Sequence, residues 1–152
     1  MLIAVIVALG GAVVDQLIKL LVVNTMELYE GIEIIKNFFT IYYCTNDGAA
    51  FSLFAGQRVM FLILPPVVFA LVLYIIKALK LPKGACVLCG AFLGGALGNF
   101  IDRIFRVEVV DYLRFDFGSY MFPVFNFADI CIVVGAILLS VYVLFFHKEE
   151  TE

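Results

Sequence analysis

The side chains of this chain that could do chemistry are acids and amides set into or beside apolar runs. Asp15 and Lys19 stand one helical turn apart, acid before base, and can pair. Asn99, Asp102 and Arg103 follow at i, i+3 and i+4, so a helix places them on one face. Asp111 comes directly after Val109-Val110, and Asn126 and Asp129 again stand at i and i+3. An ionisable group at membrane depth costs on the order of 2.5–3.5 kcal/mol, which makes each of these a candidate for function. Singly, each also has a plainer reading. Asp15–Lys19 can be a helix-fixing ion pair, Asp102–Arg103 part of an interfacial charge network, and Asn126 or Asp129 a helix N-cap.

Other chemistries lack their residues. His147, the only histidine, sits at the far C-terminal end, so no Ser–His or Cys–His pair is expected. Cys86 and Cys89 form a CxxC, but no second CxxC or nearby histidine completes a metal site, and buried packing thiols are the expectation. Carboxylates are left. Two of them close together in a low-dielectric cleft cannot both ionise, so they share a proton over a wide pH range. The ionised one activates water while the protonated one polarises a carbonyl. That is the chemistry of an aspartic protease, with no metal and no cofactor. Residue types alone leave open which acids form the pair, Asp102 included.

The elements that must position these groups are set by hydropathy. Hydrophobic residues make up 64% of the 152 and charged residues 15%, with a mean hydropathy of +1.11. A soluble fold of this size has too much surface to hide that, so lipid must cover it. Four segments are long enough to span a bilayer: residues 2–23, 59–76, 84–101 and 126–146. The fold expected is an all-α membrane protein, a single integral membrane domain over residues 1–152. Its four transmembrane helices carry a small extracellular β-sheet, about residues 28–56, and an interfacial segment, about residues 105–124. Ile32–Ile35 and Phe38–Tyr43 are β-branched and aromatic, which favours strands. Gly90, Gly94 and Gly98, with Gly95 beside them, allow close helix approach in lipid.

The short connection carrying Lys77, Lys80 and Lys83 reads as cytoplasmic by the positive-inside tendency, with His147 and Lys148 adding to it. Both termini are then cytoplasmic and both long connections lie outside. The acids other than Asp15 gather near that outer face. A net charge of −3 and no long basic run argue against nucleic acid as a partner.

Five stretches in order resemble the lipoprotein signal peptidases (signal peptidase II) over essentially the whole chain. They are Asp15-Gln16 with Lys19, Asn46-Asp47-Gly48-Ala49-Ala50-Phe51-Ser52, Gly94–Asn99 with Asp102-Arg103, Val109-Val110-Asp111-Tyr112, and Phe125-Asn126-Phe127-Ala128-Asp129. The resemblance implies Asp111 and Asp129 as the catalytic dyad. It implies Asn46, Gly48, Asn99, Arg103 and Asn126 as substrate-binding or supporting groups, and Asp15, Lys19 and Asp102 as stabilising ones. It further implies a bacterial cytoplasmic membrane enzyme among membrane lipids, whose substrate is a lipidated prolipoprotein cut just before its diacylglyceryl cysteine. Two departures stand out: Arg106-Val107-Glu108, where a glycine is common before the Val-Val-Asp run, and Ile18 before Lys19. The alternative class is a small proton- or ion-coupled transport protein, in which intramembrane acids relay protons. Internal repeats and further spans, usual in transporters, are missing from the sequence.

Overall fold

A computed structural model of the chain describes residues 1–48 and 56–146. Ala49, Ala50, Phe51 and Ser52 of the second stretch, and His147 and Lys148 of the tail, lie outside the described residues.

Among the described residues, four helices are long and apolar enough to cross a membrane. They are α1 (Leu2–Thr25), α2 (Arg58–Ala78), α3 (Lys83–Phe105) and α4 (Phe127–Phe146). Helix α2 runs unbroken through Pro65 and Pro66. Helix α3 extends four residues past the end expected from hydropathy, and so carries Asp102 and Arg103 within it. The physical reason is that hydropathy marks where apolar side chains stop, whereas a helix stops where its backbone bonding stops. The polar residues of the last turns find partners inside the protein.

Helix α3 is the centre of the bundle. Half of its spanning window is buried, against 28% for α1 and 11% for α2 and α4, whose apolar sides face outward. Its glycines set the contacts. A Cβ on Gly90 would lie 2.7 Å from the Ala4 carbonyl oxygen, and one on Gly94 2.9 Å from that of Ala8. These two bring α3 against α1. A Cβ on Gly95 would collide with the Ala128 oxygen at the start of α4, and one on Gly98 with the Asp15 carboxylate. Small residues therefore do more than pack backbones, because Gly98 is the space into which Asp15 fits.

The two long connections join in one antiparallel sheet of order β1-β2-β3-β4, made of β1 (Gly31–Ile35), β2 (Phe39–Asn46), β3 (Val109–Phe117) and β4 (Tyr120–Met121). The region expected as an interfacial segment is thus half of the sheet. Its longest strand, β3, pairs with β2 from Phe39↔Phe115 to Asn46↔Val109. The alternation of Leu113, Phe115 and Phe117 with Arg114 and Asp116 has the two-residue period of a strand. Val110 and Tyr112 turn their side chains onto Val22 and Met26 of α1, which seats the sheet on the helices.

Helix α3 passes into β3 through one tight turn. The Arg106 N–H closes the helix on the Asp102 carbonyl oxygen at 2.6 Å, and Val107 then takes φ 76°. A β-branched residue in the left-handed region costs about 1–3 kcal/mol and persists only where its surroundings hold it.

Gly94→Ala should destabilise the protein in detergent by about 1–3 kcal/mol, by forcing α1 and α3 apart. Gly10→Ala, where an added Cβ meets nothing within 4 Å among the described residues, should be neutral or slightly stabilising. Thermal unfolding of the two variants checks this, and equal midpoints would contradict the packing.

Candidate active site

Where α1, α3 and α4 meet below the sheet, the polar side chains assemble in two layers. The deeper layer is ionic. Asp15, Lys19 and Asp102 are fully buried. The Lys19 ammonium lies 2.9 Å from Asp15 Oδ2 and 2.7 Å from Asp102 Oδ2. Arg106 pairs with the other oxygen of Asp102, and Gln16 Nε2 donates to that same oxygen at 3.0 Å. Two carboxylates, one ammonium and one guanidinium cancel in charge, which is the condition for holding ions where water cannot reach them. Asp102 has its acceptor capacity filled. Gln16 and Arg106 occupy Oδ1, while Lys19 and the Val110 N–H occupy Oδ2, matching the roughly four acceptor sites of a carboxylate.

The upper layer contains two amides and two acids. Lys19 Nζ also donates to Asn99 Oδ1 at 2.8 Å. An ammonium has only donors, so it fixes which way the Asn99 amide faces. The Asn99 Nδ2 is thereby turned to Asp129 Oδ1, at 2.8 Å. Asn126 is fixed in the same way, because its Oδ1 accepts the Asp129 backbone N–H at 2.9 Å. Its Nδ2 then faces Asp111 Oδ1 at 2.7 Å, with Asn99 Oδ1 at 3.1 Å and the Val110 carbonyl at 3.3 Å. The Asn126 N–H donates to Asp129 Oδ2 at 3.1 Å. Asn126 therefore bonds to both acids at once, and with Asp129 forms a reciprocal cap on α4.

The start of α4 is held from outside as well. Asp15 Oδ1 accepts the Ala128 N–H at 3.1 Å, and the Tyr112 hydroxyl accepts the Phe127 N–H at 3.1 Å. Asp129 thus stands on a helix end whose first N–H groups have side-chain partners from α1 and β3. Asp111 comes from the opposite direction, on β3. Asn46 on β2 donates to its Oδ2 at 3.1 Å. Gly48 donates its N–H to Asn46 Oδ1 at 2.9 Å. Arg103 reaches the Gly48 carbonyl at 2.7 Å, with its guanidinium 4.3 Å over the Phe61 ring of α2.

Burial first, and the nearby Asp129 charge second, push Asp111 from 3.8 up to about 7, against the lowering effect of the Asn46 and Asn126 donors. Burial, with the Asp111 charge behind it, takes the Cys44 thiol up to about 11. Cys44 lies across the strand from Asp111 and so stays a neutral thiol near pH 7. Burial likewise raises Tyr112 to about 12, keeping its hydroxyl protonated. Among the described residues, no three His, Cys, Asp or Glu side chains are grouped to hold a metal ion.

All ten site candidates named from the sequence fall in this one region. Asp111, Asp129, Asn126, Asn99 and Asn46 are joined by hydrogen bonds. Gly48 and Arg103 adjoin them, and Asp15, Lys19 and Asp102 lie beneath. Sequence reasoning missed Arg106, Tyr112 and Phe61. For Arg106 a signal was available, since it stands at i+4 from Asp102; Tyr112 stood in the Val109-Val110-Asp111-Tyr112 stretch without a role assigned to it, and nothing local marked Phe61.

Residues 6–145 match the family model described as Signal peptidase (SPase) II. The chain is 46% identical over 145 residues to the lipoprotein signal peptidase of Geobacillus kaustophilus, covering 95% of this chain and 94% of that one. It is 43% identical over 139 residues to that of Bacillus pumilus, covering 91% and 90%. Two solved structures, each described as a bacterial membrane enzyme structure by the in meso method, are also similar. One has a TM-score of 0.86 at 30% identity, over 98% of this chain and 93% of that chain. The other has 0.83 at 31% identity, over 95% and 94%.

Lys19→Met should destabilise the fold by about 3–5 kcal/mol, because it leaves buried carboxylates without their cation. Adding Asp15→Asn should recover part of that loss. Unfolding of the single and double variants in detergent tests the ionic layer, and strictly additive losses would contradict it.

Proposed function

This chain belongs to the signal peptidase II family, the membrane proteases that remove signal peptides from prolipoproteins, and from that premise we propose that it works as an aspartic endopeptidase through Asp111 and Asp129. The substrate is a prolipoprotein whose cysteine already carries diacylglycerol, cut on the N-terminal side of that cysteine. The family assignment takes the place of the transport alternative.

The observation that carries the reading is the Asn126 bridge, which bonds Asp111 through its side chain and Asp129 through its backbone N–H. Two acids tied to one residue share a small volume, and burial of Asp111 makes double ionisation costly. At neutral pH the pair then holds one proton. Asp102 is unsuited to the same work, because four donors already occupy its oxygens.

The chemistry follows from one proton on two carboxyls. The ionised carboxylate takes a proton from water as the water oxygen bonds to the scissile carbonyl carbon. The protonated carboxyl gives its proton to the carbonyl oxygen, forming a tetrahedral diol. Collapse breaks the C–N bond: the carboxyl that took the water proton passes it to the leaving nitrogen, and a diol hydroxyl returns a proton to the other. The pair ends as it began. Its two acids titrate as a unit, so acid and base are roles of the pair. Arg103 supplies the positive charge that balances the singly ionised pair, and Asn99 and Asn126 hold the carboxyls by donors to their oxygens.

On this reading the active site lies toward the outer face of the bacterial cytoplasmic membrane, with both termini inside. What supports this is that Lys77, Lys80 and Lys83 stand at the opposite end of α3 from Asp102. Asp102 stands nineteen helical steps after Lys83, about 29 Å at 1.5 Å each, close to the hydrocarbon thickness. A cysteine tethered to the bilayer by its acyl chains presents its peptide bond at the depth of the dyad.

Asp111→Asn and Asp129→Asn should each lower cleavage of a diacylglyceryl-modified precursor peptide in detergent by about 10²–10⁴-fold or more. The unlipidated peptide should be a far poorer substrate of the parent protein. Full activity in either variant overturns the dyad.

The pH dependence of kcat should be bell-shaped, falling on the alkaline side as the proton held near pH 7 is lost. The Asn46 donor favours the ionised form of Asp111, so Asn46→Ala should move that alkaline limb to higher pH. A shift to lower pH would contradict the assignment.

A further inference from the structure

The turn between α3 and β3 is the strained backbone nearest the site. Val107 is 48% exposed, so its side chain gains little packing that glycine would lack. What holds φ at 76° must therefore come from its flanks. On one side the Arg106 guanidinium donates to Asp102 Oδ1 and, at 2.9 Å, to Gln16 Oε1. On the other, the Val110 N–H donates to Asp102 Oδ2 at 3.2 Å, and Val109 and Val110 are buried. Both flanks of the left-handed residue are thus fastened to the two oxygens of one carboxylate. The residue after the second fastening is Asp111.

We infer that Arg106 and Asp102 staple the Val107 turn and thereby set the position of Asp111, with Arg106 acting as a positioning residue that is required because position 107 is not glycine. The inference rests on Asp111 being one of the catalytic pair. Arg106 bonds to neither acid of that pair. Without its guanidinium, the N-terminal flank is released and Val107 can relax toward negative φ, the region β-branched residues prefer. That rotation moves Glu108 to Val110 and carries the Asp111 carboxyl away from the Asn126 Nδ2, now 2.7 Å distant. A misplacement of about 1 Å costs a reaction of aligned groups about 10²-fold. Glycine at 107 removes the drive to relax, since it takes the left-handed region about as readily as the right.

The test is a double-mutant cycle in the full chain, read as kcat and KM on a diacylglyceryl-modified precursor peptide in detergent. Arg106→Ala should lower kcat by about 10–100-fold with KM changed about twofold or less. Val107→Gly should keep kcat within about twofold of the parent. The double variant should recover to within about threefold of it. Recovery separates the staple from simple charge balance, because Asp102 lacks Arg106 equally in both backgrounds. If Arg106→Ala does not accumulate as folded protein, the double variant decides. Folded and active supports the staple, while absent or as impaired as Arg106→Ala overturns it. Full activity of Arg106→Ala also overturns it. Asp111→Asn run in parallel separates two failures. If that variant still cleaves, the catalytic reading has failed and the staple with it; if it is inactive and Arg106→Ala is fully active, only the staple falls.

Discussion

A charge inside a membrane protein needs an opposite charge or a proton beside it, and the polar interior of this molecule is arranged around that requirement. The lower layer meets it with Asp15, Lys19, Asp102 and Arg106, whose charges sum to zero. The upper layer holds two acids, with Arg103 adjoining them, so neutrality there calls for one proton on the acids. The same low dielectric that makes an unpaired ion costly therefore favours one proton on the two acids, the condition that the proposed general acid and general base require. On that proposal, catalysis and membrane insertion make the same demand on this site.

The two layers are joined by amide side chains that have one orientation each. Lys19 points the Asn99 amide at Asp129, and the capped N-terminus of α4 points the Asn126 amide at Asp111. A buried ammonium with no direct bond to either acid thus bears on how both are held. Helix packing reaches the site by the same route. Gly98 leaves room for Asp15, whose other oxygen holds the Ala128 N–H at the start of α4. Closing the α1–α3 contact and placing Asp129 are consequently one event in the folded structure.

Much of this was legible in the sequence, for physical reasons that also explain what was not. Apolar runs of spanning length found the four helices, since lipid imposes that length directly. Helical spacing put Asn99 with Asp102, and Asn126 with Asp129. The extent of α3 was hidden because hydropathy cannot see polar side chains that are satisfied internally. Strand β3 was hidden because its alternation reads as a mixed-charge loop until β2, some seventy residues earlier, is set beside it. Residue type could not separate Asp102 from Asp111 either. What distinguishes them is the number of donors on each carboxylate, which is a property of the assembled site. Arg106-Val107-Glu108, a departure from the family pattern, turned out to be a left-handed turn with a cation on one flank, so an irregular stretch of sequence marked an irregular stretch of backbone.

The claim on which the mechanism rests is that one proton is shared by residues 111 and 129 near neutral pH, and infrared spectroscopy reads it directly. In detergent-solubilised protein titrated across the neutral range, the carbonyl stretch of a protonated carboxylic acid should be present on the acid side and fade around pH 7. Replacing Asp129 with Asn, which removes the neighbouring charge, should move that fading to lower pH. A chain with no such band at any pH above the ordinary carboxylate range, or one whose band persists unchanged when Asp111 is replaced, contradicts the account.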